Sequence, residues 1–227
     1  MGKFIMAIDQ GTTGTRVMIV DKQGGIVSSA YTEFPQIYPK PGWVEHNPEI
    51  IWDSTKQVMR QALSEASLTP DNIQGIGITN QRETSVLWDR QTLRPVHNAI
   101  VWQCRRSAPI CDELKRRGLD DLFHSKTGLV LDAYFSGTKV RWMLDQVPGL
   151  RQRAEAGEIA FGTIDTWLIA RLTRGKVHVT DHTNASRTLM YNIHEKRWDE
   201  ELLKVLDIPA AILPQVVDSA GVVGETA

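Results

Sequence analysis

Cysteine is nearly missing from this chain: only Cys104 and Cys111 occur in 227 residues. On a helix that spacing would put them on one face, about two turns and ~10 Å apart, too far for a disulfide without distortion. It is not a zinc pattern either. Buried, reduced thiols are expected, a state that suits the cytoplasm. Long apolar runs are also missing: no segment reaches the ~20 residues of a membrane span. Residues 1–8 read as a strand rather than a signal peptide, and Gly2 does not open a myristoylation motif because position 6 is Met6. An excess of charge is missing too, with 26 basic residues against 27 acidic. No basic arm or patch runs long enough to follow a nucleic-acid backbone. The densest cluster, Lys115-Arg116-Arg117, ends an expected helix, where positive charge suits the dipole. His178, His182 and His194 are too widely spaced for a metal set. Neither a nucleic acid nor a membrane is therefore expected as a partner, and no repeat or long linker divides the chain.

The chain opens with short apolar runs between glycine-rich turns. Residues 4–8, 16–20 and 26–33 are expected strands, with turns at 11–14 and 21–25, together an antiparallel meander. Their near-continuous apolar character implies that both sheet faces are covered. Asn47-Pro48 reads as a helix start, with Asn as N-cap and Pro at the first helical position. Ile51, Thr55, Val58, Ala62 and Ala66 continue at helical spacing to an end near Thr69-Pro70. Residues 73–79 read as a buried strand, and 85–89, 96–102 and 158–161 as further strands. Helices are expected over 107–117, 137–147 and 163–173. Strands interleaved with helices point to a three-layer α/β domain. Asp165, in the first turn of the last of these helices, is read as a structural residue, because a carboxylate there suits the dipole.

Chemistry concentrates first in Asp9-Gln10-Gly11-Thr12-Thr13-Gly14-Thr15-Arg16. Glycines let backbone approach a bulky anion, and threonine hydroxyls and turn N–H groups donate to phosphate oxygens. Arg16 can add a charge-assisted contact, and Asp9 is placed to hold Mg2+ through water. The loop is neither a Walker A sequence nor a dinucleotide fingerprint. On spacing alone a plain type I′ hairpin, with Asp9 capping the turn, is an equal reading.

Asp9, Gly11, Thr12, Thr13 and Arg16 on a strand–turn–strand resemble the first phosphate loop of the actin/Hsp70/sugar-kinase ATPases. Within that superfamily the chain resembles the FGGY carbohydrate kinases, the glycerol kinases most closely. The likeness rests on residues 42–48, 77–84, 98–106, 134–139, 165–168 and 181–188, in order along essentially the whole chain. It implies a ribonuclease H-like, actin-like α/β fold with a mixed central sheet. It also implies a cytoplasmic enzyme that uses ATP and Mg2+ to phosphorylate glycerol to glycerol 3-phosphate. Asp9, Gly11, Thr12, Thr13 and Arg16 would bind the phosphates. Arg82, Glu83, Trp102 and Tyr134 would hold glycerol, by donating, by accepting, by an apolar wall and by a phenol hydroxyl respectively. Taken singly, Arg82-Glu83 reads as a solvated pair, Trp102 as core and Tyr134 as a half-buried loop aromatic. The family's catalytic base is an Asp in a Gly-Asp-Gln-Gln motif. That motif does not occur here, so the base is expected C-terminal to Ala227. Residues 1–227 are thus expected to be the N-terminal domain, truncated before its end, without the C-terminal nucleotide-binding domain and inactive alone. The resemblance also implies a homo-oligomer for the full-length protein.

Overall fold

In the computed structural model, which describes residues 3–227, the chain is shared between two units. Met1–Gln36 and His46–Gln81 form the first; Ile37–Glu45 and Arg82–Ala227 form the second. The chain passes from one unit to the other three times. Met1 and Gly2, with the readings made on them, lie outside the described residues.

The first unit contains β1 (Phe4–Gln10), β2 (Gly14–Val20) and β3 (Ile26–Glu33), then α1 (Pro48–Glu65) and β5 (Ile73–Asn80); the two-residue β4 (Glu45–His46) precedes α1. The sheet runs in the order β3-β2-β1-β5. The expected antiparallel meander forms, and β5 joins β1 in parallel, making the sheet mixed. Register pairs Met6 with Ile19 and Ile8 with Val17, so these four buried side chains share one face. Helix α1 covers that face with Ile51, Val58 and Ala62. Asn47 caps α1 as expected, its side chain accepting from the Glu49 N–H at 2.9 Å.

The opposite face departs from expectation. Ile5 is 44% and Tyr31 45% exposed, and Asp9 and Arg16 are exposed. An apolar run predicts a covered sheet, yet only alternate residues of β1 and β2 are buried, because one helix covers one face. The parallel strand β5, expected to be buried, is half-buried along most of its length.

The second unit contains β6 (Val86–Asp89), β7 (Ala99–Ile100), α2 (Ala108–Arg116), α3 (Asp120–Thr127), α4 (Ser136–Gln146) and α5 (Leu150–Glu155). There follow β8 (Ile159–Gly162), α6 (Ile164–Leu172), β9 (Val179–Asp181), α7 (His182–Ala185), β10 (Tyr191–Asn192), β11 (Arg197–Trp198), α8 (Glu200–Leu206) and β12 (Gln215–Val217). β6 pairs antiparallel with β8. Leu87, Val140, Met143, Leu144 and Phe161 lie in one buried core. The strand expected over 96–102 shrinks to β7, because its N–H groups bond to two separate segments, those of Val96 and Ile100 to Leu87 and Ser85 and that of Val101 to Val44. The two cysteines do not share a helix: Cys104 precedes α2 and Cys111 lies within it, and both are buried and free. Asp165 has the expected structural place. Both its oxygens accept from buried hydroxyls, of Thr163 and Thr180, and burial raises its pKa to about 6.

A buried guanidinium ties residues 37–45 into this unit. Arg106 lies over the rings of Trp43 and Trp142, at 4.0 and 4.7 Å from their centroids, and pairs with Glu45 at 2.7 Å. Asn98 donates to the other Glu45 oxygen at 2.8 Å. Burial pushes the Glu45 carboxyl up, but the bonds from Asn98 and Arg106 outweigh it and hold the pKa below its ordinary value.

The N-cap supplies a direct test of α1. Replacing Asn47 by Ala removes the acceptor for the Glu49 N–H and is expected to cost about 1 kcal/mol. It should appear as a lower urea midpoint at unchanged slope; an unchanged midpoint would mean the cap contributes nothing.

Candidate functional site

In the first unit, five of the residues expected to bind phosphate gather around one turn. The Gly11 N–H donates to the Gly14 carbonyl at 2.9 Å, closing it. A type I′ hairpin needs φ > 0 at both central residues, and no residue from 11 to 14 is among those with positive φ. The plain-hairpin alternative is therefore excluded. Gly14 is required by packing: a Cβ there would lie 2.5 Å from both the Thr32 carbonyl oxygen and the Tyr31 hydroxyl. At Gly11 a Cβ would come within 3.2 Å of the Gly14 carbonyl. The glycines thus keep the turn tight. Asp9 and Arg16 face each other across β1 and β2, and they and Thr13 are exposed.

In the second unit, three of the four residues expected to hold glycerol come together. Glu83 occupies the centre of a three-residue turn closed by the Thr84 N–H and the Arg82 carbonyl at 2.7 Å. Its φ is 61°, a conformation that costs a non-glycine residue about 1 kcal/mol or more. The hydroxyls of Ser85 and Ser136 donate to its carbonyl at 3.1 and 3.0 Å and hold it there. The Glu83 side chain is buried and accepts from Arg187 Nε at 2.6 Å. Arg187 in turn lies over the rings of Tyr134 and Phe135, 5.7 and 5.0 Å from their centroids. Trp102 and Tyr134 make a tilted pair at 5.3 Å, both half-buried against the core. Each of the two aromatics is therefore part core and part surface. Arg82 is exposed, so the dipeptide splits into one solvated charge and one buried, paired charge.

Two residues assigned no role from the sequence prove central. Arg187 is 104 positions from Glu83 and comes from one of the segments that carried the resemblance. Lys139, from another, is fully buried. Its Nζ donates to the carbonyls of Tyr134 and, at 2.8 Å, Phe135. It therefore fixes the backbone that carries Tyr134 at the start of α4. Burial pulls its pKa down from the ordinary 10.5 to about 7, against the raising effect of the Glu83 charge.

The N-terminal domain model of the FGGY family of carbohydrate kinases matches residues 4–227, and the chain belongs to that family. Its relatives include a glycerol kinase of Halothermothrix orenii, 62% identical over 224 residues, covering 99% of this chain and 45% of the relative. Glycerol kinase 2 of Thermotoga maritima is 57% identical over 225 residues, with 99% and 45% covered. Among solved structures, the Plasmodium falciparum glycerol kinase with ADP superposes with a TM-score of 0.93 at 35% identity, covering 99% of this chain and 45% of that one. The expected actin-like α/β class with a mixed sheet holds. The chain spans about 45% of the length of the curated relatives it matches.

Lys139 generates a pH-dependent expectation. With a folded pKa of about 7 against an ordinary 10.5, the unfolded chain binds more protons between those values. The lysine's contribution to stability therefore rises with pH across that window. Lys139→Met leaves two buried carbonyls without this donor, roughly 1–3 kcal/mol each, and also removes a buried ammonium. Urea midpoints should show a larger loss at pH 9 than at pH 6; the reverse order would contradict the burial account.

Proposed function

We propose that the protein carrying this domain is a glycerol kinase, transferring the γ-phosphoryl group of ATP to a terminal hydroxyl of glycerol in the cytoplasm. The observation that carries the substrate assignment is the buried Glu83 carboxylate, fixed by Arg187 beside the Trp102–Tyr134 pair. A small neutral triol needs an oriented acceptor for its hydroxyls and an apolar wall for its C–H edge. In this reading Glu83 accepts from a glycerol hydroxyl and Arg82 donates to one, charged bonds being the stronger kind. Tyr134 offers a phenol hydroxyl, and the exposed part of Trp102 supplies the wall. The names of the two curated relatives above support the same substrate.

The turn at Gly11, Thr12 and Thr13, with Arg16, suits the phosphates of ATP, since successive backbone N–H groups of a tight turn and threonine hydroxyls can donate to an anion. Among the described residues no cluster of three or more His, Cys, Asp or Glu side chains could hold a metal ion. In this reading Mg2+ is held by the exposed Asp9 through water and by the phosphates, the usual arrangement for this cation. Bound there, Mg2+ would neutralise charge on the phosphoryl oxygens.

The test is a coupled assay of ADP release by the full-length protein, offered glycerol, xylulose or gluconate with Mg2+ and ATP. Turnover with glycerol alone is expected. Glu83→Gln should lower kcat/KM for glycerol by roughly 10- to 100-fold, the worth of a charged hydrogen bond. Phosphorylation of a sugar without glycerol turnover would remove the substrate assignment.

A further inference from the structure

His46 is fully buried in the first unit, in T-shaped contact with Phe34 at 5.0 Å, and the catalytic reading above gives it no part. Its surroundings fix its protonation. Gln36 Nε2 lies 3.0 and 3.4 Å from the carbonyls of Thr12 and Phe34. Both partners only accept, so this atom is the donor and Gln36 Oε1 an acceptor. His46 Nε2, 2.5 Å from Gln36 Oε1, must carry the proton. On the other side, Gln81 Nε2 lies 3.0 Å from Gln10 Oε1, 3.1 Å from the Gly11 carbonyl and 3.3 Å from His46 Nδ1. It too is a donor, its two hydrogens shared among these three acceptors, so Nδ1 faces a donor and carries no proton. The imidazole is therefore neutral and held in one tautomer, and burial lowers its pKa to about 4.

The two glutamines end on consecutive carbonyls of the phosphate turn, Gly11 and Thr12. In a planar trans peptide the C=O and the following N–H point in opposite directions. Pinning those carbonyls toward the glutamines directs the N–H groups of Thr12 and Thr13 the other way, as an adjacent pair of donors. We infer that His46 is a positioning residue: through Gln36 and Gln81 it sets the Gly11 and Thr12 peptide planes so that the turn presents its donors to a nucleotide's phosphates. This rests on the phosphate-binding reading of the turn. The imidazole touches no reacting atom. It joins the two glutamines, donating to Gln36 on one side and facing the Gln81 donor on the other.

Three measurements on the full-length protein test the role. In 15N-detected NMR, His46 should show the neutral Nε2–H pattern unchanged from pH 8 to pH 5; titration near 6.5 or tautomer averaging overturns the assignment, and this arm needs no variant to fold. In kinetics, His46→Leu should raise KM for ATP roughly tenfold, the scale of one lost hydrogen bond, with KM for glycerol within about twofold; His46→Gln, which keeps a donor toward Gln36, should recover most of it. Equal changes in both KM values, or a lower melting temperature with both retained, overturn the role. In calorimetry, ADP should bind His46→Leu more weakly than the unmutated protein by a similar factor. ADP binding without glycerol turnover would sink the substrate assignment alone and leave the affinity ratio to decide on His46. Absence of nucleotide binding in the unmutated protein would overturn the turn's reading and this inference together.

Discussion

A carboxylate taken out of water must find compensating charge or hydrogen bonds, because its desolvation costs several kcal/mol. Glu83 is one place in the second unit where this requirement is acute, since the residue is only 2% exposed. Its partner Arg187 comes from the far end of the sequence and is oriented by stacking on Tyr134 and Phe135. The two serines on the Glu83 carbonyl hold a left-handed backbone in place, and Lys139 fixes the carbonyls of the same aromatic pair. Charge pairing, backbone strain and aromatic placement thus form one coupled arrangement. It leaves a single buried acceptor oriented beside half-exposed rings.

The first unit meets a different form of the same requirement. Its buried polar side chains are neutral: Gln10, Gln81 and His46 are linked as amides and an imidazole, and Thr15, Ser54 and Thr55 bond through their hydroxyls. Rigidity there comes from directionality rather than from charge. Arg106 is an intermediate case. It is a buried cation whose charge is met by Glu45 and whose flat faces are met by two indoles, an arrangement suited to guanidinium and poorly reproduced by lysine.

Local signals in the sequence were legible where local chemistry decides. Asn47-Pro48 marked the start of α1, the helix expected over 137–147 matches α4, and glycine-rich turns marked the meander. Helices α3 and α5 went unread because they are eight and six residues long, too short for periodicity to stand out. Residues 96–102 looked like a strand because their apolar character is real, but it serves core packing, and the backbone bonds go to separate segments. At the site, the resemblance pointed to Arg82, Glu83, Trp102 and Tyr134, while Arg187, Lys139 and His46 lie inside the matching segments with no role legible from the sequence. Nothing in the spacing of Glu83 and Arg187 foretells their pairing, because a contact across 104 positions is set by tertiary folding.

Three passages of chain join the two units, at 36–37, 45–46 and 81–82. Neither unit is therefore a contiguous stretch of gene. The first needs two separated pieces of sequence, and the second reaches back to take residues 37–45, with Trp43 and Glu45, into its interior. Recombination at any one of these junctions would give a hybrid in which a segment has lost the partner that buries it. Exchange of parts between members of this family must then respect all three junctions at once, or move the two units together.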